Sequence, residues 1–201
     1  MSKDNSQSLP FRHPDELSDY AIIDLETTGL DPETDKIIQL SAVRFSSHEA
    51  VASFSEYINP GRHIPEEVSK LTRITDETVA AAPALEDKIQ EYLDFISAST
   101  YVAGWNVSFD TSFLSCLDCV SESEFSNAFD VMTIYGRVTG QPYSRLSDAC
   151  ARIDYSTTFH NALNDCYACG AILSWLCKDN RMDHALHSKG ERNAALKSYL
   201  K

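Results

Sequence analysis

Basic side chains are in short supply: 17 Lys and Arg stand against 30 Asp and Glu, a net charge of −13. That balance argues against tight, non-specific binding of duplex nucleic acid, which depends on cations laid along phosphates. The small basic excess is confined to one end, where Lys178–Lys201 carry six Lys/Arg and three Asp/Glu. The rest of the chain carries 11 basic and 27 acidic residues. The sequence shows no apolar run long enough to span a membrane and no secretory leader, so a cytoplasmic protein without a membrane partner is expected. It also has no internal repeat and no low-complexity block, which leaves no reason to expect a solenoid or an array.

What is present suits one folded unit with tails. At 201 residues, 43% hydrophobic and 23% charged, the chain is long enough for a full core. Residues 1–18 are polar and acidic with Pro10 and Pro14, and are expected as a flexible leader. Residues 19–178 form the expected domain, and 179–201 a polar, mildly basic tail, compatible with a helix over 191–200. The six cysteines include two CxxC pairs, Cys116/Cys119 and Cys166/Cys169. A zinc site usually brackets a loop of ~12–20 residues between such pairs, and these are much further apart. Both pairs lie in stretches that read as helices, where that spacing puts two side chains on one face, so reduced packing thiols are expected. A zinc or thiol protein stays open as a reading from another class.

Hydrophobic patterning gives the order of elements. Strands are expected at Tyr20–Leu25, Lys36–Phe45 and Phe54–Ile58, joined by short turns into an antiparallel meander. Helices follow from Pro65 to about Leu71, near Thr75–Thr78, and from Pro83 with Leu85, Ile89, Leu93 and Ile96 on one face. Tyr101–Trp105 reads as a short strand. A helix starting at Asp110 or Thr111, helical pieces over Phe129–Val138 and Ser144–Arg152, and a long helix over Asn161–Cys177 complete the chain. Strands first, then helices around one further strand, make an α/β layer architecture with a mixed sheet.

The stretch with most chemistry is Ala21–Leu30, Ala-Ile-Ile-Asp-Leu-Glu-Thr-Thr-Gly-Leu. Strand side chains alternate, so Asp24 and Glu26 point the same way. Two neighbouring carboxylates in apolar surroundings repel and are poorly solvated, and a hard cation such as Mg²⁺ or Mn²⁺ relieves both. The same ten residues also fit a strand end whose acids reach solvent. Asp110, in Asn106-Val-Ser-Phe109-Asp110, taken alone is a helix-start acid favoured by the dipole. His160, in His160-Asn-Ala-Leu-Asn-Asp165, taken alone reads as a surface or capping residue.

Taken together, Asp-x-Glu-Thr-Thr-Gly, Asn-x-x-Phe-Asp and His-x-Ala-x-x-Asp resemble the DEDDh (DnaQ-like) family of 3′–5′ exonucleases. That family includes the proofreading ε subunit of bacterial DNA polymerase III, RNase T and oligoribonuclease. The resemblance runs from about Tyr20 to Cys177. His160 lies five residues before the last acid, as in the histidine branch, and Asn161 stands where the tyrosine branch has Tyr. The resemblance implies a ribonuclease H-like α/β fold, a mixed central sheet flanked by helices, and domain 19–178 as an exonuclease domain. It implies two metal ions, Mg²⁺ or Mn²⁺, held by Asp24, Glu26, Asp110 and Asp165, with His160 as general base. It also implies release of nucleoside 5′-monophosphates from 3′ ends of single-stranded DNA, or of RNA as in the RNase T and oligoribonuclease kind, and a possible polymerase partner. Thr27, Thr28, Asn106 and Phe109 fall at substrate-binding positions, and Ile74 where the family packs an apolar side chain on the last base. Trp105 stands where many relatives have His, and Arg73 where glycine is common; both bear on substrate contacts more than on activity. A catalytically inactive RNase H-like binding module would usually have lost an acid or the histidine, and this chain keeps all five.

Overall fold

The computed structural model describes residues 9–11, 13–178 and 181–182. After a short 3₁₀ turn at Pro14–Glu16, three strands run in order: β1 (Asp19–Thr27), β2 (Ile37–Ser46) and β3 (Glu49–Tyr57). Helices α1 (Glu66–Thr72), α2 (Asp76–Val79) and α3 (Leu85–Ser97) lead to β4 (Tyr101–Gly104). Then come α4 (Val107–Ser115), β5 (Ala128–Asp130), α5 (Val131–Thr139), α6 (Leu146–Arg152) and α7 (Ala162–Cys177). The sheet order is β3-β2-β1-β4-β5. The first three strands form the expected antiparallel meander, while β1–β4 and β4–β5 are parallel. The mixed sheet read from the sequence is thus present.

Alternation along β1 sorts the core into two layers. Tyr20 and Ile22 face a cluster built with Ile134 and Tyr135 of α5, Ala149 and Cys150 of α6, and Ile172 and Leu173 of α7. Ala21, Ile23 and Leu25 face the opposite cluster with Ile89, Tyr92 and Leu93 of α3 and Phe113 and Leu114 of α4. α7 lies close on β2 because residue 170 is glycine; a Cβ there would overlap the Phe45 ring.

Three elements differ from the sequence reading. Phe129 belongs to β5, and the helix starts only at Val131, where Asp130 caps it by accepting from the Met132 amide. A three-residue strand is too short for its periodicity to separate it from the helix it leads into. β3 begins at Glu49, well before Phe54, because six of its nine residues face solvent and it carries little apolar signal. α4 begins at Val107, a turn before Asp110.

Packing reaches past both expected limits of the domain. Phe11 and Leu17 are buried, with Phe11 set edge-on against Tyr101 and Phe129. At the far end Met182 is buried and the Arg181 guanidinium lies over the Trp175 ring. The helix considered for 191–200 lies outside the described residues. The thiols divide by position. Cys150, Cys166 and Cys169 are buried, whereas Cys116 and Cys119 lie exposed just beyond the end of α4, outside the helix expected for them.

Candidate active site

The site forms at the carboxyl end of β1, where the chain orders of three segments converge. Asp24 and Glu26 project toward the α7 layer, on the same face as Tyr20 and Ile22. Asp165 arrives from the first turn of α7, whose start is capped by the Asn161 side chain accepting from the Asn164 amide. Oxygens of Asp24, Glu26 and Asp165 lie within 4.8 Å of one another.

Asp110 comes from the other layer. It is 3% exposed, and its Oδ1 accepts the Leu25 amide at 2.9 Å, in the middle of the Asp24-Leu25-Glu26 run. The position follows from a local backbone feature. Asn106 adopts a left-handed conformation (φ 64°), and its amide donates to Asp130 Oδ1 at 2.9 Å. That sharp entry starts α4 at Val107 and brings Asp110 inward on its first turn. Asn106 itself is exposed and receives a hydrogen bond from the Ser108 hydroxyl. Phe109 is half-buried against Phe113.

The electrostatics are those of crowded, poorly hydrated acids. Burial, then the charges of Asp110, Glu26 and Asp165, raise the Asp24 carboxyl well above its ordinary range. Burial and Asp165 push Glu26 from 4.5 to about 7. Burial pushes Asp165 from 3.8 to about 6, against the lowering effect of the His160 amide bonded to it. Burial raises Asp110 as well, partly opposed by the Leu25 amide. Asp165 Oδ2 accepts from the His160 amide at 3.0 Å, while its buried Oδ1 has no partner. A buried carboxylate oxygen without a partner is costly. Clustered hard-oxygen donors and this orphan oxygen fit a divalent cation, held by Asp24, Glu26 and Asp165 with Asp110 close by.

His160 sits on the loop before α7 with a left-handed backbone (φ 60°) and an exposed side chain. Its backbone is tied to Asp165, so ring and carboxylate share one short segment. Thr27 and Thr28 are both buried and committed to the turn. Thr27 Oγ1 donates to the Gly29 carbonyl, and Thr28 Oγ1 donates to Asp35 and accepts from the Lys36 amide. Ile74, expected to pack on the last base, is buried in this structure. It is 2% exposed and packs with Ile38, Ile64 and Val79. The reason is the left-handed residue before it, Arg73 (φ 64°), which ends α1 and turns Ile74 inward. The same conformation explains why glycine suits position 73. Leu71, on the last turn of α1, is left 54% exposed. Sequence reading also passed over Gln39, which sits opposite Glu26 on β2; its signal was a polar amide between the apolar residues Ile38 and Leu40.

A mixed sheet with acids gathered at one strand end is an arrangement suited to a metal-dependent nuclease. The chain belongs to the exonuclease family of RNase T, whose model matches residues 21–173. The DNA polymerase III PolC-type of Clostridium perfringens (strain 13 / Type A) is 35% identical over 103 residues, 51% of this chain and 7% of that protein. The Staphylococcus aureus PolC-type polymerase is 37% identical over 95 residues, 47% of this chain and 7% of its own. This chain therefore spans only a small part of the length of those relatives. Among solved structures, exonuclease X in complex with 5′ overhanging duplex DNA superposes with a TM-score of 0.65 at 23% identity, covering 84% of this chain and 94% of that one. The nuclease domain of 3′hExo, a DEDDh family member bound to rAMP, gives 0.68 at 20% identity, covering 82% and 94%. These similarities confirm the fold class read from the sequence.

Proposed function

We propose that this chain is a 3′–5′ exonuclease that removes nucleoside 5′-monophosphates from single-stranded 3′ ends, with DNA as the favoured substrate. The observation that carries the reading is the convergence of Asp24, Glu26 and Asp165 within 4.8 Å, with a buried Asp165 oxygen left without a partner. The kinship with PolC-type DNA polymerases favours DNA over RNA and makes a polymerase the fitting partner. Among the described residues no helix is long and apolar enough to cross a membrane.

Two Mg²⁺ or Mn²⁺ ions bound here would neutralise developing charge on the attacking and leaving oxygens and acidify the attacking water. The chain's own residues do the rest. Asp24, Glu26 and Asp165 would hold one ion, and Asp24 and Asp110 would be available to a second. Asp110 also fixes the Leu25 amide, which locks the carboxylates on either side of it. The His160 imidazole would take the proton from the attacking water as general base. Its exposed position on the α7 loop leaves it free to reach a substrate-bound water. Thr27 and Thr28 shape the turn against which the terminal nucleotide lies, with Asn106 and Phe109 on its other side.

The test is digestion of 3′-labelled and 5′-labelled single strands of DNA and RNA with Mn²⁺. Mononucleotide release from the 3′ label, faster on DNA, is expected. Intact strands under conditions where the protein binds them would overturn the reading, and faster loss of RNA would move the substrate to RNA.

A further inference from the structure

Gln39 lies opposite Glu26 in the β1–β2 ladder, on the face that carries the acids. It is 3% exposed, and both ends of its amide are used. Nε2 donates to Ser55 Oγ at 3.2 Å, and Oε1 accepts the Ala162 amide at 3.3 Å across 123 residues of sequence. Ser55 Oγ in turn meets Ser41 Oγ at 3.0 Å, and Ser41 lies opposite Asp24. A polar row, Gln39–Ser55–Ser41, thus runs beside the carboxylates in a sheet whose other positions are mostly apolar.

Ala162 is the first residue of α7, and its amide is one of the helix-start donors that has no partner inside the helix. Asn161 caps the Asn164 amide; the bond to Gln39 satisfies a second one and fixes where the helix begins. His160 precedes that point and Asp165 follows it within one turn, joined to each other by the His160 amide. Gln39 therefore ties the start of α7, and with it His160 and Asp165, to the strand that pairs with Glu26.

We propose that Gln39 is a positioning residue: it docks the first turn of α7 on the β-sheet and so sets Asp165 and His160 against Asp24 and Glu26. It touches no substrate and acts through Ala162. The role rests on the reading of Asp165 as a metal ligand.

The experiment compares Gln39→Met, Gln39→Glu and Ser55→Ala in the full chain. It reads Mn²⁺ affinity by electron paramagnetic resonance without nucleic acid, and amide hydrogen exchange over residues 160–166. Met keeps the bulk and removes the acceptor, Glu keeps an acceptor oxygen, and Ser55→Ala breaks only the other bond. Gln39→Met should weaken Mn²⁺ binding ~10–100-fold, the usual cost of losing a group that orients a ligand. It should also speed exchange at Ala162 and Asp165. Gln39→Glu should restore exchange protection, and Ser55→Ala should leave both readouts near the parent values. Parent-like Mn²⁺ affinity and exchange in Gln39→Met would overturn the proposal, as would an equal loss in Ser55→Ala. Neither readout needs turnover, so a chain that binds Mn²⁺ but digests nothing would fail the nuclease reading and still decide this one.

Discussion

At the residue scale, the division of labour between side chain and backbone is clearest at His160. Its amide anchors Asp165, and its ring is exposed. Replacement by alanine keeps the amide, so His160→Ala should fold and bind Mn²⁺ like the parent while the digestion rate falls ~10²-fold or more, the usual range for a lost general base. An unchanged single-turnover rate would remove the imidazole from the mechanism. The sequence made Asp24 and Glu26 legible because strand alternation alone puts them on one side. It did not make Asp110's reach legible. That depends on a left-handed Asn106 whose amide is bonded to Asp130, a contact between distant segments that local patterning does not show. The burial of Ile74 was illegible for the same reason, since a left-handed Arg73 decides which neighbouring side chain faces inward.

At the element scale, α7 is the piece on which the site depends most, and its seating is set by size as well as by hydrogen bonds. Gly170 lets the helix lie on β2 against Phe45. Gly170→Ala should cost about 1–3 kcal/mol by overpacking, read from the urea midpoint at constant slope. It should also weaken Mn²⁺ binding, because lifting α7 carries Asp165 away from Asp24. Parent-like stability would mean that Phe45 yields without strain. The long helices and the three-strand meander were visible in the sequence through their periodicity. β5 was not, since three residues cannot display a period, and only its parallel pairing with β4 makes it a strand.

At the scale of the whole molecule, the acids make folding and proton binding one problem. Glu26 and Asp165 hold protons to about 7 and about 6 in the folded state, against ordinary values of 4.5 and 3.8. Through that interval the native state binds more protons than the unfolded chain, so stability falls as pH rises. The contribution is complete below about pH 4 and gone above about pH 7. In chelator, the melting temperature should therefore drop between pH 5 and 8. Saturating Mn²⁺ should remove or reverse the drop, because the cation binds the deprotonated site of the native state alone. Glu26→Gln should flatten the chelator profile, and a chelator profile already flat in the parent would contradict the picture of acids kept protonated by burial. The net charge of −13 bears on the proposed function: with 17 basic against 30 acidic residues, a nuclease of this kind would have to hold nucleic acid mainly through bound cations.

The parallel placement of β1 beside β4, with α7 laid over β1 and β2 last, also has a meaning for synthesis. A growing chain presents Asp24 and Glu26 early, then Asp110, but no Asp165 or His160 until its final described helix has left the ribosome. The cluster of acids is therefore complete only once α7 has docked on β1 and β2.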